Sequence, residues 1–298
     1  MWEHERKLSR AAQHFEQLKA QVVGWEEGQG YTLRATKASH RDPTLYEIRA
    51  EVVRPVEDEP FPLVLGDFLQ NARAALDYLA GALGNVGAGG WMTESDALAT
   101  MFPITRSPER FAEIIERRLP TVSEPVRAAI EDLQPYETGG DLLWNSEPLW
   151  ILNELARVDR HRFLHVGYER IGMLALNPRT SRNVNLTDLD VETGSFESVE
   201  VDTLEDAEIA HAEGRPVEDG AMLATFNAVP IDPDEEMHME WESAIEIGFD
   251  EDRLPKTLHH LGGTYGMSVI YVLRGIVPDI REVFRALASF LPAEPPRW

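Results

Sequence analysis

The stretch GDFLQNARAALDYLAG, residues 66–81, has the apolar spacing of a buried helix, yet it holds Asp67, Asn71, Arg73, Asp77 and Tyr78. On a helix of 3.6 residues per turn, Phe68, Ala72, Leu76, Leu79 and, just beyond the stretch, Leu83 fall within about 80° of one another and define a core face. Asp67, Asn71 and Tyr78 line a second face, and Arg73 and Asp77 form an i, i+4 pair between the two. Because only one stripe is core, the second must face solvent, a partner or a pocket. The glycines of GNVGAGG (84–90) then suit a helix terminus and a flexible loop.

Upstream, residues 2–23 read as an amphipathic helix with Leu8, Ala11, Ala12, Phe15, Leu18 and Val22 on one face. YTLRATK (31–37) and LYEIRAEVV (45–53) read as two strands of an N-terminal hairpin spanning about 31–54. In the second strand Tyr46, Ile48, Ala50 and Val52 alternate with polar residues. Downstream, three segments open alike. Ser107, Ser123 and Ser146 stand as N-caps, with Pro108, Pro125 and Pro148 in the first turn that follows.

From about 171 to 250 the pattern turns strand-like, in NVNLTDL, FESVEV, GAMLATFNAV and MEWESAIEIGF. In the last, Met239, Trp241, Ile245, Ile247 and Phe249 alternate with Glu240, Glu242 and Glu246, which implies an antiparallel sheet with one wet face. A long C-terminal helix carries a stripe from Leu258 to Leu287 and is expected to kink at Pro278. The expected fold is α+β, a helical bundle packed with an antiparallel β-sheet. It divides into a mainly helical region, 1–170, containing the hairpin, and a region 171–298 of strands and the long helix. The two are expected to pack into one integrated domain.

The composition narrows the chemistry. The chain has 298 residues, 43% of them hydrophobic, and no cysteine, so disulfides, zinc–thiolate sites and cysteine nucleophiles are excluded. No run of 18 apolar residues suggests a membrane span. The start MWEHERKLSR is charged and lacks the apolar region of a signal peptide, giving the expectation of a cytoplasmic bacterial protein. A formal net charge of -24 repels polyanions, so non-specific nucleic-acid binding is not expected. GNVGAGG follows a helix instead of joining a strand to a helix, and LGGTYG (261–266) lies at or within a helix, so neither has the context of a phosphate loop. The nine histidines show no strong ligand spacing, and no metal or cofactor is expected. His161 and His165, at i, i+4, are the nearest approach to a ligand pair.

The segment WILNELARVDRHRFLH (150–165) carries a second set of polar residues. With Leu149 just before it, its residues Leu152, Ala156 and Phe163 form an apolar stripe, and Asp159 falls in the middle of it. A carboxylate there needs a cationic or multi-donor partner. A further stripe holds Asn153, Glu154, Arg157, His161 and His165. The candidate binding residues are therefore Asp67, Asn71, Glu154, Arg157, His161 and His165.

Four motifs carry a resemblance over most of the first 165 residues: GDFLQNARAALDYL (66–79), FPI (102–104), LQPY (133–136) and LNELARVDRHR (152–162). Together the chain resembles a bacterial, mostly actinobacterial, family without an assigned activity. Its helix also resembles the R-x4-H helix of HEPN domains, helical bundles that are often dimeric and often metal-independent ribonucleases. The resemblance implies a homodimer pairing around Asn71, Ala74 and Tyr78, and a catalytic set of Arg73, Tyr78 and His161. Arg73 matches the motif, but Tyr78 stands where the family has histidine. With a reference pKa of ~10, only about one tyrosine in a thousand is ionised at neutral pH, which makes it a poor general base. Either the activity is absent, or His161 or His165 takes over the role, or the resemblance to HEPN domains is only structural.

Two functions follow: a non-catalytic binding or regulatory protein holding a protein or small molecule, or a HEPN-like ribonuclease of the defence or toxin type. The resemblance also brings the Arg73 helix and the Asp159 helix together. Since neighbouring helices of a bundle commonly pack together and Asp159 lies on an apolar stripe, Asp159 is expected to pair with Arg73, with Arg162 or a helix N-terminus as the alternative partner.

Overall fold

The computed structural model describes residues 1–27, 30–39, 42–56, 59–137, 148–161, 166–175, 208–209, 219–227, 242–249, 254, 256–261 and 268–296. Helices predominate among them. In chain order the elements are α1 (Glu3–Glu27), β1 (Tyr31–Ser39), β2 (Asp42–Val52), α2 (Phe61–Gly87), α3 (Glu94–Ala99), α4 (Pro108–Arg118), α5 (Glu124–Glu131) and α6 (Pro148–His161). They continue with β3 (Val166–Ala175), β4 (Glu208–Ile209), β5 (Met222–Asn227), β6 (Glu242–Phe249), a 3-10 helix (Lys256–Leu261), α7 (Val269–Leu273), α8 (Ile276–Leu287) and a closing 3-10 turn, Ala288–Phe290. No helix among the described residues is long and apolar enough to cross a membrane.

The chain forms two compact units, each assembled from separated segments. One comprises 1–23, 59–166 and 249–298; the other comprises 24–58 and 167–248. The sequence division at 170/171 is corrected accordingly, and the reason is long-range pairing. The hairpin β1–β2 joins the later strands because β2 pairs antiparallel with β5. The C-terminal helices join the earlier ones because α8 packs on α2, α5 and α6.

In the sheet unit the strand order is β1-β2-β5-β4, and neighbours along it run antiparallel. The β1–β2 register runs from Tyr31 opposite Val52 to Lys37 opposite Tyr46. Tyr46, Ile48 and Ala50, the alternating apolar residues, are buried. β3 and β6 form a separate two-stranded pair. The expected strands NVNLTDL and FESVEV lie outside the described residues.

The helical unit is organised around α2. It begins at Phe61, five residues before the quoted stretch, and Phe61, Val64 and Leu65 extend its buried face. Pro62 falls in the first turn, where its missing N–H has no helical partner to lose. The helix ends as its glycines require: Gly89 has φ 69°, and its N–H reaches Val86 O at 3.1 Å. A Cβ on Gly87 would lie 2.0 Å from the carbonyl oxygen of Thr121, so that position tolerates no side chain. Ser107 caps α4 by accepting from the Arg110 N–H at 3.2 Å. Ser123 sits at the start of α5 without a side-chain cap bond, and Ser146 lies outside the described residues.

The C-terminal helix is not continuous. α7 and α8 break at Arg274–Gly275, and Pro278 is the third residue of α8. A proline there removes an N–H that a first turn leaves unpaired anyway, so it starts a helix instead of kinking one. At the break a Cβ on Gly275 would meet Pro148 Cγ, at the start of α6, at 3.1 Å, so glycine suits the junction.

α1 contributes Leu8, Ala11, Leu18 and Val22 to the core, together with His4 and His14. The His4 ring meets Phe284 of α8 edge-on at 4.7 Å. Its Nδ1 has no hydrogen-bond partner, and burial lowers its pKa from the ordinary 6.5 against the weaker opposing pull of Glu5. The folded state therefore holds His4 neutral where the unfolded chain protonates it. Proton uptake by the unfolded state makes stability rise with pH through the window below about 6.5. Stability measured by urea unfolding should fall for the wild type as pH drops below that value, and the loss should be smaller in His4→Leu. Parallel pH profiles for the two proteins would contradict a buried neutral imidazole.

Candidate functional site

Gly66, Gln70, Arg73, Asp77 and Gly84 lie on one stripe of α2, within about 60° on the helical wheel. This stripe is distinct from the leucine face and from the face of Asp67 and Tyr78. Along it, α2 meets several separate segments. A Cβ on Gly66 would lie 2.8 Å from Asp159 Oδ1, so glycine lets α6 approach. Gln70 Nε2 donates to Asp159 Oδ2 at 2.7 Å and to the Ala156 carbonyl at 3.3 Å. At the far end the Thr121 hydroxyl donates to the Gly84 carbonyl at 2.9 Å.

Between them lies a network of buried polar contacts. Arg73 Nη2 donates to Asp77 Oδ1 at 3.0 Å and to the Phe102 carbonyl at 2.6 Å. The Phe102 N–H donates back to Asp77 Oδ1 at 3.0 Å. The ion pair thus holds both backbone groups of a single residue, much as a neighbouring strand would. Gln134, fully buried, continues the pattern. Its Oε1 accepts from the Thr105 N–H at 2.9 Å, and its Nε2 donates to the carbonyls of Pro103 and Ile130, each at 3.0 Å. Met101 N–H reaches the Arg118 carbonyl at 3.1 Å. Residues 102–105 are buried and belong to no strand, so side chains supply the partners that burial demands.

The pair is electrostatically costly. Arg73 is 4% exposed. Burial lowers its pKa, Asp77 opposes that shift, and Arg160 and Arg118 add to it. Burial likewise raises the pKa of Asp77, against Arg73, the Phe102 N–H, Arg160 and Arg118. Arg73 Nη1 is buried with no hydrogen-bond partner.

Among the described residues, the sequence-derived site residues do not gather at one point. Tyr78 is 46% exposed, about 140° around the helix from Arg73, with Lys7 Nζ 5.6 Å from its ring centroid. Asp67 is exposed, and Asn71 Nδ2 turns back to the Asp67 carbonyl at 2.8 Å. Glu154 is buried and accepts from Arg157 Nη2 at 2.8 Å and from the Thr257 hydroxyl at 3.3 Å. His161 is the last residue of α6, and Arg162, Phe163 and His165 lie outside the described residues.

The Arg73–Asp159 pair is corrected: Arg73 is held by Asp77 on its own helix, and Asp159 is met by Gln70. A helical wheel gives the direction of Asp159 but not the height at which α2 crosses it, and the crossing falls at Gly66 and Gln70. Sequence reasoning also passes over Gln70, Gln134, Arg118 and Arg160. Gln70 has a findable signal, because it shares the stripe of Arg73 and Asp77. Among the described residues no group of three or more His, Asp or Glu side chains is placed to hold a metal ion. Comparisons with protein-family models, with curated proteins and with solved structures find no match.

These contacts rank the two aspartates. Asp77→Asn leaves a buried guanidinium without its counter-charge. It should cost about 3 kcal/mol, the lower end for a broken buried pair, since the Asp77 side chain keeps 27% of its exposure. Asp159→Asn leaves Gln70 an acceptor and should cost about 1 kcal/mol or less. Urea denaturation midpoints test the order, and a larger loss for Asp159→Asn would refute it.

Proposed function

We propose that the chain is a non-catalytic binding protein. The observation that carries this reading is the engagement of Arg73. Its Nη2 is spent on Asp77 and the Phe102 carbonyl, and the side chain at the motif's histidine position, Tyr78, lies on another face of the helix. A general base and a phosphate-binding cation must both reach the reacting group; Arg73 is turned into the core, and within one chain Tyr78 points away from it. The four motifs that suggest a family are accounted for by packing: Arg73 and Asp77 hold FPI, Gln134 of LQPY holds the same segment from the other side, and Asp159 docks on Gly66.

The competing reading is a HEPN-like ribonuclease using Arg73, Tyr78 and His161. Mutual packing of α2, α6 and α8 is compatible with a bundle of that kind but brings no base to Arg73 among the described side chains. A homodimer belongs to either reading, through the α2 face on which Leu63 (71% exposed) and Tyr78 stand out.

Incubation of the purified wild type and Tyr78→His with single-stranded and hairpin RNA should give no cleavage in either case, because Arg73 stays turned inward, held by Asp77 and the Phe102 carbonyl. RNA cleavage by the wild type that is lost in Tyr78→Phe or His161→Ala would replace the binding reading with the enzymatic one. Light scattering at micromolar concentration should report a dimer; a monomer would remove that part of the proposal.

A further inference from the structure

The outer face of α2 is spaced alike from both of its ends. Leu63, Asp67, Asn71, Ala74, Tyr78 and Ala82 follow one another at intervals of 4, 4, 3, 4 and 4 residues, and they lie within about 100° on the helical wheel. None of the six is buried, whereas Val64, Phe68, Ala72, Leu79 and Leu83 beside them are. Leu63, 71% exposed, stands at one end. At the other end Ala82 follows Gly81, where an added Cβ would meet nothing within 4 Å. A large apolar side chain at one end thus has small residues and open space as its counterpart at the other.

The polar groups repeat that relation. Asp67 is exposed on one side of the midpoint. On the other side is Tyr78, with Lys7 Nζ 5.6 Å from its ring centroid. Among the described residues the Asp67 carboxylate, the Tyr78 hydroxyl and the Lys7 ammonium have no hydrogen-bond partner or counter-charge. Within one chain the carboxylate and the two donors cannot meet, since 11 residues of helix hold Asp67 and Tyr78 about 16 Å apart along the axis. A second copy turned about a two-fold axis midway between Asn71 and Ala74 brings them together twice. The same rotation sets Leu63 against Ala82 and Gly81, and Asn71 against Ala74, at the crossing. A parallel pairing would instead set Asp67 against its own copy and Lys7 against its own copy, and like charges face to face are costly. Steps of 4 and 3 residues are also the seam spacing by which two helices pack closely.

We propose that a second copy of this chain docks on this face of α2 in antiparallel register. The two-fold axis passes between Asn71 and Ala74, the Asp67 carboxylate of each copy accepts from the partner's Tyr78 and the partner's Lys7, and each Leu63 seats on the partner's Ala82. This geometry rests on the homodimer of the binding reading above and adds its register and its chemistry.

The test is a charge exchange on the full chain, with the dimer dissociation constant measured by sedimentation at low salt. Asp67→Lys and Lys7→Asp should each weaken the dimer roughly tenfold or more, because two symmetry-related attractions become repulsions. The double variant Lys7→Asp with Asp67→Lys should recover most of the loss, and that recovery separates a lost contact from a lost fold. Register is read by cross-linking, which the absence of cysteine from the chain makes clean. Ala74→Cys, next to the axis, should join two copies through a short bis-maleimide. Leu63→Cys should not, since the two copies of that residue lie about 28 Å apart along the helices. Double-variant dimers no tighter than those of the single variants, cross-linking through Leu63→Cys, or cross-linking through neither position would overturn the proposal. A wild-type dimer that the charge variants leave intact removes this geometry but keeps the homodimer, whereas a wild-type monomer removes both.

Discussion

The helical unit depends on how one short segment is buried. Residues 102–105 run through the interior without a strand beside them, and an unpaired backbone group there would cost a substantial part of a domain's net stability. The solution is a side-chain frame. Arg73 and Asp77 grip both polar groups of Phe102, and Gln134 grips Pro103 and Thr105. This explains why a core helix carries an arginine and an aspartate. Their charges are not decoration on a leucine stripe; they replace the hydrogen-bond ladder that the segment lacks. Buried ion pairs commonly contribute little net stability against apolar substitutes. Here an apolar substitute would strand the Phe102 amide and carbonyl, so the relevant comparison is with a segment left unpaired.

The same frame sets the other approaches. With Phe102 fixed against the middle of α2, the positions one and two turns earlier, Gln70 and Gly66, receive α6, and the position two turns later, Gly84, receives Thr121. Small or polar residues occupy each crossing because backbones come close there, while leucine and phenylalanine fill the wider spaces on the adjacent face. Asp159 is tolerated half-buried because Gln70 donates to it and glycine makes room for it.

Local pattern makes much of this legible. The leucine face of α2, its glycine terminus, the Ser107 cap and the alternation of Tyr46, Ile48 and Ala50 all follow from periods of 3.6 or 2 and from single-residue backbone preferences. What stays hidden requires knowing which distant segments meet. A wheel places Arg73 and Asp159 on their own helices but cannot say at what level the helices cross, so it suggests an ion pair where an amide–carboxylate contact exists. The contact of Val52 with Asp219, beside the pairing of β2 with β5, spans 167 residues of sequence. It has no local signature, and neither does the alternation of the two units along the chain. Pro278 illustrates a different limit: the stripe from Leu258 to Leu287 continues across the α7–α8 junction because both helices bury the same kind of face, which hides the break at Gly275.

The polar residues of α2 also show why a motif can mislead about chemistry. An arginine five residues before an aromatic position satisfies an R-x4-H spacing on paper, but five residues place the two side chains about 140° apart on a straight helix. They can meet at one reacting group only if a second chain or a neighbouring helix brings the missing partner. In this chain the arginine turns inward to the backbone of Phe102 and the tyrosine turns outward beside Lys7. Asp77 and the Phe102 carbonyl share one nitrogen of the guanidinium. Arg73 is thus first of all a structural clamp on the backbone of Phe102. Its rigidity comes from the contacts that hold residues 102–105 in the core.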